Sequence, residues 1–112
     1  MSDGSFCDVV STYFQRRGYR IEKDVVFDGY SGLSRKFDLS VRKGSEQRLV
    51  WIREWKRTVG VNIIINIDKA SSDVGFPNPI IISEKFSGHA KAYANRRGIT
   101  LIQKGTITRE LR

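Results

Sequence analysis

Asp38, Glu54 and Lys56 are the residues of this chain best suited to chemistry. Asp38 sits in the alternating run KFDLSV, and the other two sit in LVWIREWK. Central strand positions normally carry apolar side chains, so charged groups there call for a reason. Alternation along a strand would put Glu54 and Lys56 on one face, about 7 Å apart, together with Ile52. Trp51, Arg53 and Trp55 would take the other face. If the two runs pair as neighbouring strands, Asp38 approaches Glu54. Two carboxylates brought together repel unless a cation lies between them. Mg2+ suits such a place, because it takes hard oxygen ligands and keeps several waters. The Trp55 backbone carbonyl would offer a third oxygen. Lys56 would then orient the attacking water and neutralise charge developing on a phosphate. The plain alternative is a solvated strand face with an ion pair worth at most about 1 kcal/mol.

The elements that must position these groups follow from periodicity. Residues 5–17 read as a helix with Phe6, Val9, Val10, Tyr13 and Phe14 on one face, Ser5 as N-cap and Gly18 after the last turn. Residues 19–27 read as a strand, and DGYSG at 28–32 as a turn. A second strand is expected over 34–41, with Phe37, Leu39 and Val41 alternating against Lys36, Asp38 and Ser40. KGSEQ supplies a hairpin connection, and a third strand is expected over 48–57. These three form an antiparallel meander. After Gly60 the period becomes helical, with Asn62 as the expected cap. Pro77 and Pro79 break the chain before Ile80–Ile82, an apolar run fitting a strand buried on both faces. A helix capped by Ser83 and closed by Gly98 precedes a last strand over 99–103. The ending GTITRELR is polar enough to fray or to extend that strand. The expected class is α/β, a mixed sheet flanked by helices in the order αβββαβαβ, within one domain spanning 1–112.

Composition narrows the function. Among 112 residues, 20 Lys and Arg against 12 Asp and Glu leave a net charge of +8, a field that favours a polyanionic partner. The single cysteine, Cys7, cannot make an internal disulfide and reads as a small buried hydrophobe. No apolar run reaches the ~18 residues of a membrane span, and MSDGSFCDVV lacks a secretory pattern. The expected compartment is therefore cytoplasmic, with no membrane partner. His89 reads as a half-buried structural histidine, since no second His or Cys is spaced with it for zinc. Trp51 and Trp55 read as core rather than base-stacking platforms.

FD at 37–38 followed by EWK at 54–56 resembles the PD-(D/E)xK nuclease superfamily, and the order of elements matches its core over nearly the whole chain. The carboxyl half, PIIISEKFSGHAKAYANRRGITLI, is similar to the same region of Mrr-like restriction endonucleases. Archaeal Holliday junction resolvases are comparable in size and basicity. Phe37 stands where the motif's proline would be, and the approach to Asp38 is reduced to YSGLSRKFD. The resemblance implies a Mg2+-dependent DNA endonuclease, with Mn2+ able to substitute and no small-molecule cofactor beyond the metal. In it Asp38 and Glu54 bind the ion and Lys56 assists hydrolysis. It also implies an acid from the first helix, for which Asp8 is the candidate. Phosphate contacts are expected first from Arg35, Lys36 and Arg57 beside the motif, then from Arg16, Arg17, Arg42 and Lys43. Cutting both strands needs two sites, so a homodimer is expected. A non-catalytic nucleic-acid-binding or assembly module that keeps the fold is the alternative.

Overall fold

In chain order the elements are α1 (Phe6–Arg16), β1 (Arg20–Asp28), β2 (Ser34–Lys43), β3 (Glu46–Ile52), α2 (Val61–Asp73), β4 (Ile80–Ser83), α3 (Gly88–Arg97), β5 (Thr100–Gln103) and α4 (Lys104–Glu110). The structure, a computed structural model, describes residues 5–54 and 56–111. One sheet of order β1-β2-β3-β4-β5 runs through the middle. β1, β2 and β3 form the expected antiparallel meander, and β4 runs parallel to both β3 and β5. On one face, Val10 and Phe14 of α1 and Ile107 of α4 pack on Leu39, Val41, Val50 and Ile82. On the other, Ile64 and Ile67 of α2 and Ala90 and Ala94 of α3 pack on Ile81 and Ile99. The sheet is thus the middle layer of three. β4, covered on both sides, is an unbroken buried run, as its Ile-Ile-Ile sequence requires.

The helix signals hold where side chains can satisfy a terminus. Ser5 accepts the Asp8 amide, and Gly18 takes φ +88 after the last turn of α1. Gly98 closes α3 at φ +73. Elsewhere the structure corrects the expectation. The cap of α3 is Ser87, whose Oγ accepts the Ala90 amide, while Ser83 ends β4 as a buried strand residue. Phe86 between them stays in the core beside Val59, to which it forms a parallel bridge. α2 begins at Val61 with Gly60 at the cap position, so Asn62 lies inside the helix. The chain end coils into α4 rather than fraying or extending β5, because Ile107 and Leu111, four apart, pack onto the α1 layer. His89 is exposed.

The third strand is shorter than its alternation suggests. β3 stops at Ile52, and the Arg53 amide makes one further bond to the Ile82 carbonyl. The neighbouring β4 is only four residues long, so the ladder loses its partner there. Glu54 and Lys56 therefore lie beyond the strand, not on a strand face.

Strict alternation also fails within β2. Leu39 opposes Val50, and both face α1. Leu49, one residue earlier, faces the opposite layer with Ala70 of α2, and Phe37 joins that cluster instead of following Leu39. In β1, Ile21 packs with the α1 layer, whereas Val25 and Phe27 pack with the α2 layer. The switch falls at Asp24, at φ +50, and Asp38, which lie between the pairs Lys23–Leu39 and Val25–Phe37. The distal ribbon thus rolls over α2, and its tip is clasped there. Asp73 accepts from the amide and hydroxyl of Ser31 and from Arg35 Nε at 3.0 Å. Gly29 is needed at this clasp, since a Cβ would lie 1.9 Å from Asp73 Oδ2. A second α2 carboxylate, Asp68, is 4% exposed and ties α2 to α3 by accepting from the Tyr93 hydroxyl (2.8 Å) and Arg97 Nε (3.0 Å).

Candidate active site

The interrupted pairing beside Asp38 gives that carboxylate its place. β2–β3 pairing ends at Leu39 opposite Val50. The Ile52 amide, which a continued ladder would have engaged from β2, donates to Asp38 Oδ2 at 2.7 Å. A half-buried Asp is thereby fixed against the amide two residues upstream of Glu54. Side-chain acceptors commonly replace a ladder carbonyl where a strand ends, because an unpaired buried amide is costly. Asp38 Oδ1 has no hydrogen-bond partner among the described residues.

Glu54 is exposed, and its Oε2 receives Lys104 Nζ at 3.1 Å. Lys104 opens α4 directly after β5, and its ammonium also lies 4.9 Å from the Phe6 ring centre. The first turns of α1 and α4 thus border the carboxyl ends of β3 and β4. Ligands of open α/β sheets bind outside the carboxyl ends of their parallel strands. Lys56 is exposed in the bend that follows, and Trp55 lies outside the described residues. Arg53 stacks over Trp51 at 4.2 Å and donates to the Ile52 carbonyl at 3.1 Å. Burial lowers its pKa, opposed by the Asp38 charge. Cys7 packs against the α1-layer core, and burial, reinforced by the Asp38 charge, pushes its thiol up. This places the first turn of α1 within electrostatic reach of Asp38.

The acid of that turn is already engaged. Asp8 is ion-paired with Lys23, whose hydrogen bond and charge hold the Asp8 carboxyl below its ordinary 3.8. Among the described residues no group of three His, Cys, Asp or Glu side chains could hold a metal ion. The candidate donors are Asp38 and Glu54, hard oxygens bordering the end of β3. They fit Mg2+, which is commonly held by one or two carboxylates, waters and substrate phosphates. They do not form a closed cage.

The expected phosphate-binding residues separate into groups. Arg35 is half-buried and committed to Asp73. Lys36 is exposed on β2, and Arg57 is exposed in the bend after β3. Arg17 is ion-paired with Glu110 and stacks over Tyr13 at 3.9 Å. Arg16 is exposed in the last turn of α1. Lys43 donates to the Arg17 carbonyl (2.9 Å), and Arg42 donates to Gln47 (2.7 Å). Sequence reasoning missed Lys104. The signal was available, since a Lys directly after a parallel strand falls at the end where a site is built.

The restriction endonuclease family model Mrr_cat matches residues 1–111. The chain belongs to that restriction endonuclease family. This agrees with the likeness carried by FD, EWK and the carboxyl half. No curated protein matches. Among solved structures, the crystal structure of a protein of unknown function, AF1548, superimposes with a TM-score of 0.80 at 20% identity. The match covers 88% of this nuclease-family chain and 56% of the other, so this chain spans about half of that neighbour's length. That likeness shows the fold alone, a five-stranded mixed sheet with helices on both faces; with the family match it is a restriction-endonuclease-like core. No helix among the described residues is long and apolar enough to cross a membrane.

Proposed function

We propose that this nuclease-family domain is a Mg2+-dependent DNA endonuclease, with Mn2+ able to substitute. The observation that carries this reading is the Asp38 side chain bonded to the Ile52 amide, two residues before Glu54, at the carboxyl end of the parallel strands. Asp38 and Glu54 would hold the ion, with the Trp55 carbonyl as a further donor. When bound, the ion supplies the positive charge that polarises a phosphodiester and acidifies water. Lys56, exposed beyond the strand, orients the attacking water and offsets charge on the phosphate. Asp8, the weaker candidate from α1, would join the ion only by leaving its partner Lys23. The surplus of +8 draws the DNA in. The target is an Mrr-type duplex site or a branched junction. Two copies are needed to cut both strands, so the working form is a homodimer.

One observation favours a second reading, a nucleic-acid-binding or assembly module without catalysis. Glu54 is satisfied by an internal cation, Lys104, and would serve a structural pair as well as a metal. Cleavage of plasmid and branched DNA with Mg2+ or Mn2+ separates the two, comparing wild type with Glu54→Ala and Lys56→Ala. Metal-dependent cutting lost in both variants is the expected result. No cutting by any of the three, with equal DNA binding, would leave the binding module standing.

A further inference from the structure

The β1–β2 register sets Arg20 directly opposite Arg42. Like charges opposed on neighbouring strands destabilise a sheet. Both side chains are exposed, and neither makes an ion pair among the described residues. Arg42 is nonetheless held in place. It donates to Gln47 Oε1, and the Gln47 amide donates in turn to Ser40 Oγ at 2.8 Å, a hydroxyl on a residue only 3% exposed. Arg20 and Arg42 line a depression of about 300 Å³ with Glu22, and an adjoining one of about 360 Å³ with Lys43. Lys43 is itself fixed by the Arg17 carbonyl. Three cations therefore share this surface with one carboxylate.

We propose that Arg20, Arg42 and Lys43 form a second contact site for the nucleic-acid backbone, which holds phosphates of the duplex flanking the cut. The proposal rests on the nuclease reading and specifies which part of the substrate this surface takes. Arg42 is four residues from Asp38 along β2, about 13 Å at ~3.3 Å per residue. That is about four base-pair rises of ~3.4 Å. Arg42 lies toward the β2–β3 hairpin, at the other end of β3 from Glu54, so a duplex lying along β2 would meet this surface a few nucleotides from a bond held at Asp38 and Glu54. Paired guanidiniums suit this task, since each presents a planar fork of donors to phosphate oxygens. The repulsion between them in the free protein is relieved when a phosphate lies between them.

The test is a salt series of binding titrations on a labelled duplex, with Ca2+ in place of Mg2+, alongside thermal melts. The proteins are wild type, the Arg20→Gln/Arg42→Gln double variant and a charge control, Lys69→Gln on the exposed side of α2. The double variant is expected to bind at least about tenfold more weakly, with a log–log salt slope shallower by about 2. Its melting temperature should equal or exceed that of wild type, because a like-charge pair has been removed. Lys69→Gln should leave the slope unchanged. A double variant with wild-type affinity and slope overturns the proposal while leaving the nuclease reading intact, provided wild type binds and cuts. Weaker binding with a lower melting temperature would mark the pair as structural and also overturn it. So would an equal loss in Lys69→Gln, or tighter wild-type binding to phosphatidylserine vesicles than to the duplex. A wild type that neither binds nor cuts DNA refutes the underlying nuclease reading instead.

Discussion

Four carboxylates divide between two regions, and they are treated differently in each. On α2, Asp68 is buried under a hydroxyl and a guanidinium, and Asp73 receives three donors from the β1–β2 ribbon. At the carboxyl end of β3, Asp38 takes one backbone amide, and Glu54 stands exposed with one flexible lysine. Saturated carboxylates join elements, and their negative charge is already answered. Carboxylates with spare lone pairs at an open sheet end keep the capacity to bind a cation. The difference separates acids committed to joining elements from acids that keep unfilled acceptor positions.

The comparison breaks most visibly in activity. Asp38→Asn keeps an oxygen for the Ile52 amide but removes the charge, and Glu54→Gln does the same for its site. Each should reduce cleavage by at least about 10²-fold, since the charge on a bound ion is worth several kcal/mol in the transition state. The melting temperature should hold within about 2 °C, as expected where little buried structure is lost. Single-turnover cleavage and calorimetry on the same preparations read both. A large stability loss in either variant would move that residue into the structural class.

Asp68→Ala should do the reverse. It strips Tyr93 and Arg97 of their acceptor and should cost about 1–3 kcal/mol in urea unfolding. Arg97 is half in solvent, which keeps the cost below that of a fully buried pair. Gly29→Ala should follow at about 1 kcal/mol, by forcing the Asp73 carboxylate out of the clasp.

Acid sharpens the same contrast. The Ser31 hydrogen bonds, with Arg35 behind them, hold the Asp73 carboxyl below its ordinary 3.8. A lowered folded pKa means that the stabilisation is present above the unfolded value and is lost as pH falls through the folded one. The stability gap between wild type and Asp73→Asn should be full at pH 5 to 7 and close below about pH 3.8. The smallest effect is expected at Lys104. Lys104→Ala frees Glu54 of its internal cation and should tighten Ca2+ or Mn2+ binding a few-fold, read as a larger metal-induced rise in melting temperature.

The meander, the parallel strands and the first helix were legible because each has a local period or a local cap: Ser5, Gly18, Gly98 and the Ile80–Ile82 run all acted where they stood. Three features were not. The alternation of LVWIREWK continues past Ile52, but the ladder ends because β4 is short, a fact held in another part of the chain. α4 has only Ile107 and Leu111 to anchor it, too few for a periodic signal. The change of face at Asp38 leaves the sequence pattern of β2 intact, since Phe37, Leu39 and Val41 are all apolar. Within the candidate site, the residue types were readable from spacing. The amide that fixes Asp38 comes from the neighbouring strand, where the broken ladder leaves it, and the lysine that meets Glu54 comes from α4, far along the chain.

The change of face at Asp24 and Asp38 also bears on how the chain avoids misassembly. An ordinary strand can slip by two residues and still present its apolar side correctly, since its period is two. Here the reversal point in β1 must coincide with the one in β2. A slip of one residue turns every side chain over. A slip of two leaves the reversals out of step, with residues between them aimed at the wrong layer. The ribbon carries its own registration mark, and a hairpin mispaired at either offset presents the wrong side chains to the helices that pack on it.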